Sequence, residues 1–191
     1  MADIQYLALL RGINVGGKNK IKMTDLKSCF EDMGFTEVVT YIQSGNVLFR
    51  SAEKDKLKLI KKIEKTLSER FGYESRIVAV THKELKKVVA GAPGGFGEDL
   101  NTYRCDVIFL KEPLTSRDAM KNVRVKEGVD DAHRGGQVLY FSRLTTRASQ
   151  SYLPKIIILP MYQYMTIRNW NTTTKLLALM EKESKTPPDK G

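Results

Sequence analysis

The stretch EVVTYIQSGNVLFR, residues 37–50, places β-branched and aromatic residues on both sides of QSGN. Ser44, Gly45 and Asn46 carry turn chemistry, so the two flanking runs read as the arms of a β-hairpin. An antiparallel pair this early argues against a wholly parallel sheet. The question is then how the segments on either side join it.

Upstream, IQYLALLR (4–11) is a compact apolar run ended by Gly12, short enough for a buried strand. Thr24 is the expected N-cap of a helix in which Leu26, Cys29, Phe30 and Met33 recur at helical spacing, with Gly34 as its stop. Downstream, residues 54–71 form a second amphipathic helix with Leu57, Ile60, Ile63, Leu67 and Phe71 as the apolar stripe and lysines on the solvated side. ESRIVAVT adds a strand, and THKELKKVVAG a helix capped by Thr81 and stopped by Gly91. The order β-α-β-β-α-β is that of a ferredoxin-like unit, here followed by one more helix.

Residues 91–101, GAPGGFGEDLN, concentrate glycine and mark a boundary. Beyond them the order repeats: strand RCDVIFL, helix TSRDAMKNV, a strand near 126–133, strand QVLYFSR, a helix near 150–159, strand YQYMTIR and helix NTTTKLLALMEKE. Pro154 fits only at the first turn of its helix, because an interior proline breaks the hydrogen-bond ladder. The expected fold is α+β, two ferredoxin-like halves in tandem. The halves are 1–92 and 104–183, with a glycine-rich linker at 93–103 and a frayed tail at 184–191.

Composition narrows the function classes. The 191 residues carry a formal charge of +10, which favours anionic partners through long-range attraction. No Asp or Glu occurs from 132 to 180, whereas Arg134, Arg143, Arg147, Lys155, Arg168 and Lys175 all do. Cys29 and Cys105 stand far apart, and His82 and His133 are the only histidines, so neither a zinc site nor any cofactor is expected. No apolar run is long enough to span a bilayer and no leader is evident at the N-terminus, so a cytoplasmic protein without a membrane partner is expected.

LLRGINVGGKNK (9–20) contains the G-x-x-x-x-G-K spacing of a phosphate loop. Lys18 is followed by Asn19 instead of Ser or Thr, the helix starts too late, and an antiparallel sheet does not host such loops. What remains is a turn in which Arg11, Asn14 and Lys18 are candidate ligand groups. This motif is expected to lie at the opposite end of the sheet from the hairpin turn. The acid-free segment supplies a second candidate set, Arg143, Arg147, Lys155 and Arg168. RNWN adds Asn169 or Asn171 as a helix cap, with Asn169 also a candidate ligand group, and Trp170 as a hydrophobic staple or anchor.

LLRGINVGG, YIQSGNVLF and TIRNWNTTTKLL in this order resemble the bacterial domain-of-unknown-function family numbered 1697, and the resemblance runs from the first strand to the last helix. It implies a ferredoxin-like α+β architecture and no established activity. Catalytic motifs are lacking; Asp130, Asp131 and His133 form the one acid and imidazole cluster, expected in an exposed polar turn. Tyr140 and Phe141 point to opposite faces of their strand, so at most one offers a ring for base stacking. The leading expectation is a non-catalytic binding module for an anionic ligand, a nucleotide or RNA. The alternatives are an enzyme or small-molecule binder at the first loop, and a structural partner-binding protein.

Overall fold

The computed structural model describes residues 3–14 and 19–183. The fold is α+β, with two four-stranded antiparallel sheets. The chain divides into two compact units, one built from residues up to Leu85 together with those from Ala178 onward, the other from Lys86–Leu177.

The first unit contains β1 (Ile4–Leu10), α1 (Met23–Asp32), β2 (Thr36–Tyr41), β3 (Asn46–Ser51), α2 (Lys56–Phe71), β4 (Ile77–Thr81) and the start of α3 (His82–Ala90). Its strand order is β2-β3-β1-β4. β1 lies in the middle, pairing Leu7 with Leu48 of β3 and Ala8 with Ala79 of β4. Such a strand has neighbours on both edges, which is why IQYLALL is apolar almost throughout and nearly all buried.

One face of this sheet is sealed by two regular helices. Leu26, Cys29 and Phe30 of α1 and Leu59, Ile60, Ile63 and Leu67 of α2 join Tyr6, Ala8, Val47 and Phe49 in one core. Leu57, expected in the α2 stripe, is instead 44% exposed, because Ile60, Ile63 and Leu67 centre the buried face on Leu59. α1 begins one residue before the expected cap: Lys22 occupies the N-cap position without a side-chain bond, and Thr24 lies inside the helix. Asp55 caps α2 through the Lys58 amide (3.1 Å), and Gly72 ends it in the left-handed conformation. Thr81 and Glu84 form a reciprocal capping box at α3, with bonds of 3.2 and 2.8 Å.

The second unit adds β5 (Tyr103–Leu110), α4 (Ser116–Asn122), β6 (Asp130–Arg134), β7 (Val138–Leu144), α5 (Leu153–Ile157), β8 (Met165–Asn169) and the start of α6 (Trp170–Glu183). The order is β6-β7-β5-β8. Ile108, Leu110, Leu139, Phe141 and Met165 from the sheet meet Ala119 of α4 and Ile156 of α5. The helix expected near 150–159 is the shorter α5, which starts at Leu153; one 3₁₀ stretch, Thr145–Gln150, precedes it and another, Pro160–Tyr164, follows. Pro154 does sit in the first turn of α5, and Pro160, which cannot continue a ladder, opens the next piece.

Candidate functional site

The first and second motifs meet, contrary to the expectation that they lie at opposite ends of the sheet. β1 is antiparallel to β3, with Leu9 opposite Asn46, so the end of β1 lies beside the β2–β3 turn. Leu10 donates its amide to the Gly45 carbonyl (2.8 Å). The Asn14 side chain donates to the carbonyls of Gln43 (2.9 Å) and Ile21 (3.0 Å) and accepts from the Ile21 amide (2.9 Å). Its hydrogen-bonding capacity is spent on latching the two loops, which leaves little for a ligand.

Glycine at position 45 is required twice over: φ is +77°, and a Cβ would stand 2.7 Å from Ile13 Cδ1 and 2.8 Å from Leu10 Cβ. Asn14, Asn19 and Ile42 also have positive φ, and Ile42 is β-branched and half exposed. That conformation is costly for such a residue. Arg11 is half-buried, its amide bonded to the Arg76 carbonyl (3.0 Å). Lys18 lies outside the described residues.

The third motif belongs to the other unit. Arg168 is buried on β8, where desolvation lowers its pKa to about 10; its Nη1 donates to the Ile167 carbonyl (2.9 Å). Asn169 caps α6 through the Thr172 amide (2.7 Å). The Trp170 ring meets Phe96 edge-on (5.2 Å), and Phe96 meets Tyr140 in the same way (5.3 Å). A Cβ on Gly97 would overlap the Trp170 indole, so the glycine-rich segment packs here only because position 97 is glycine. Asn169 and Trp170 thus already have structural partners.

The remaining basic candidates do not converge. Arg143 is held by the buried Asp106 carboxylate (2.6 Å), whose pKa burial raises despite the guanidinium beside it. Arg147 donates to the Gly128 carbonyl (3.2 Å) and to Gln150 Oε1 (2.9 Å). Lys155 stands 3.3 Å over the Tyr152 ring. Tyr140 and Phe141 do face opposite ways, but they are 2% and 0% exposed, so neither offers a ring to a base.

Two clefts of the second unit deserve comparison. The first, about 500 Å³, is lined by Arg104, Arg143, Thr145, Thr146, Ser149 and Ser151 on its polar side. No carboxylate is on its wall, and Arg104 is exposed without an ion pair among the described residues. Thr145 Oγ1 is buried there without a hydrogen-bond partner among the described residues. Such an orphan hydroxyl carries a penalty of about 1–3 kcal/mol. The sequence reading missed Arg104 and these hydroxyls. Their signal was the cross-strand pairing of Arg104 with Arg143 and the density of Thr and Ser in RLTTRASQS.

The second cleft, about 450 Å³, has Phe96, Tyr103, Val129 and Leu144 as apolar wall and Cys105, Asp131, His133 and Ser142 as polar groups. Register explains the grouping, since Cys105 and Asp131 both pair with Ser142. Asp131 and His133 lie on strand β6 instead of in a turn, joined by a 2.8 Å bond from His133 Nε2 to Asp131 Oδ2. Burial raises the Cys105 pKa, which suppresses the thiolate a nucleophile needs. Among the described residues no cluster suits a metal ion, and no helix is long and apolar enough to cross a membrane.

The chain belongs to the family described as protein of unknown function, DUF1697, whose model matches residues 4–140. It is similar to a solved structure, the conserved bacterial protein SP0830 from Streptococcus pneumoniae. The TM-score is 0.81 at 25% identity, over 94% of this chain and 99% of that one. No curated protein matches the sequence.

Proposed function

We propose that this member of the DUF1697 family is a non-catalytic binding module for a small anionic ligand, held in the cleft of Arg104, Arg143 and the Thr145–Ser151 hydroxyls, on a scaffold of two ferredoxin-like units. The strand orders β2-β3-β1-β4 and β6-β7-β5-β8 support the scaffold reading. The observation that carries the ligand reading is the pairing, in one cleft with no carboxylate in its lining, of an exposed Arg104 without an ion pair and a buried Thr145 hydroxyl without a partner among the described residues. Asp106 already holds Arg143, so Arg104 is the guanidinium that meets the incoming charge, and Arg143 lines the wall. With Tyr140 and Phe141 buried, a small anion such as a phosphorylated metabolite or nucleotide fits better than a stacked RNA strand.

Thermal-shift titration with inorganic phosphate, pyrophosphate and nucleotides tests this. A ligand at about 100 times its dissociation constant adds ~2.7 kcal/mol of stability, and Arg104→Glu should remove the shift. No shift at low salt, or one that Arg104→Glu leaves intact, overturns the reading. A second reading, a small-molecule site at Arg11, Asn14 and Lys18, is favoured by the positive φ of Asn14, Asn19 and Ile42 in two touching loops. There the shift would survive Arg104→Glu and vanish in Arg11→Ala.

A further inference from the structure

The run Ile156, Ile157, Ile158, Leu159 leaves the core partway along. Ile156 is 1% exposed beneath α5, whereas Ile157 is 48% and Ile158 81% exposed. Successive helical residues turn by about 100°, so a helix as short as α5 cannot bury three isoleucines in a row. Exposed apolar neighbours mark an interaction site where polar groups rim them and a cleft adjoins them.

Its surroundings specify the cover. Ile156, Ile158 and Leu159 form the apolar side of a cleft of about 410 Å³, and Lys121, Asn122, Arg124 and Lys155 form the polar side. Among the described residues, three cations and no carboxylate line it. Lys121 also bonds Asp118 (2.8 Å), which leaves Arg124 and Lys155 as the stronger charges. Lys155 lies over the Tyr152 ring, an amphipathic side chain of the type that favours the water–lipid boundary. Among the described residues, the one carboxylate bonded at the start of α5 is Asp130, which accepts from the Tyr152 amide (2.8 Å) at the end away from Ile157 and Ile158, and the whole chain carries +10.

We infer that the α5 tip is a peripheral docking site for an anionic lipid bilayer. A lipid phosphate sits at Arg124 and Lys155, and the upper methylenes of its acyl chain lie along Ile158 and Leu159. Ile157 and Ile158 enter the headgroup boundary. Apolar area and attraction to anionic lipid act together in such contacts, and neither suffices alone. This was not expected from the sequence, where the absence of a spanning segment argued against any membrane partner. It is independent of the anion cleft described above.

Vesicle flotation with the full chain decides it. The wild type should float at low salt with vesicles of three parts phosphatidylcholine to one part phosphatidylglycerol, and not with phosphatidylcholine alone. Ile157→Ser with Ile158→Ser should weaken partition about tenfold, and Arg124→Glu with Lys155→Glu by a similar factor. Both pairs are on exposed positions, and an unchanged circular dichroism spectrum confirms folding. The inference is overturned if the wild type stays in solution with anionic vesicles or if the double serine variant floats like the wild type. It is equally overturned if Arg104→Glu abolishes flotation, since the headgroup would then be captured in the neighbouring cleft.

Discussion

The two units share one strand order and differ in what covers the sheet. Between β3 and β4 the first unit has α2, 16 residues long, capped at both ends and contributing four buried side chains. Between β7 and β8 the second has five residues of α5 between two 3₁₀ stretches. Leu153 and Pro154 of α5 line the arginine–hydroxyl cleft, and Lys155 and Ile156 line the cationic one. A continuous helix seals a sheet; a broken one leaves concavities at its ends. Pro154 and Pro160 open two of these short pieces, and Pro154 lines the first cleft.

The sharpest way to break this comparison is to delete the same side chain from each cover. Ile63 and Ile156 are both buried, at 0% and 1% exposure. Ile63→Ala should cost about 4 kcal/mol, because its well-packed helix cannot collapse into the gap, and Ile156→Ala about 2, because a short cover can. Hydrogen exchange read separately in each unit measures both, and equal losses would undo the contrast.

The turns differ next. Gly45→Ala should cost about 3 kcal/mol through positive φ and overlap with Ile13 and Leu10, whereas Gly136, in the β6–β7 turn of the second unit, has nothing within 4 Å. Gly136→Ala should fall within about 0.5 kcal/mol of the wild type by urea denaturation.

A smaller effect, opposite in sign between the units, comes from pH. Burial works to raise the Glu84 carboxyl, but Lys56 (2.5 Å) and the Thr81 amide outweigh it and hold the pKa below the ordinary 4.5. Stability from Glu84 is therefore present above 4.5 and lost as pH falls through the lowered value, by less than about 1 kcal/mol at this partly exposed site. Burial raises Asp106 above 3.8 despite Arg143, so there the folded state takes up its proton first and gains stability as pH falls toward 3.8. Unit-resolved exchange between about pH 3 and about pH 6 should show the opposed slopes, flattened respectively by Glu84→Gln and Asp106→Asn.

The smallest expected effect is a gain. Thr145→Val removes the orphan hydroxyl at nearly constant volume and should stabilise the protein by about 0.5–1 kcal/mol in urea denaturation, while weakening the response to phosphate. A loss of stability would mean that the hydroxyl has a partner after all.

Much of the fold was legible because the local signals agreed. The QSGN turn, the Thr81 cap and the Gly34 and Gly91 stops each act over a few residues, and each stands where the pattern put a boundary; of Asn169 and Asn171, the cap is Asn169. Thr24 failed as a cap because nothing in the sequence shows that the helix starts one residue earlier, at Met23. The candidate site was less legible. Asn14, Asn169 and Trp170 stood out by type, yet their polar or aromatic groups serve a loop latch, a helix cap and a ring stack. Arg104 and Thr145 drew no notice: the Thr and Ser density of RLTTRASQS was visible, but the pairing of Arg104 with Arg143 across two strands is set by register.

The sequence by itself determined the strand and helix order, the α+β class and the family, since hydrophobic period and turn chemistry are properties of neighbouring residues. Only the tertiary structure decided that the first loop and the QSGN turn touch, through the antiparallel register of β1 on β3. Only it decided which arginine is already paired and which isoleucines stand in water, because pairing and burial depend on residues far apart in the chain.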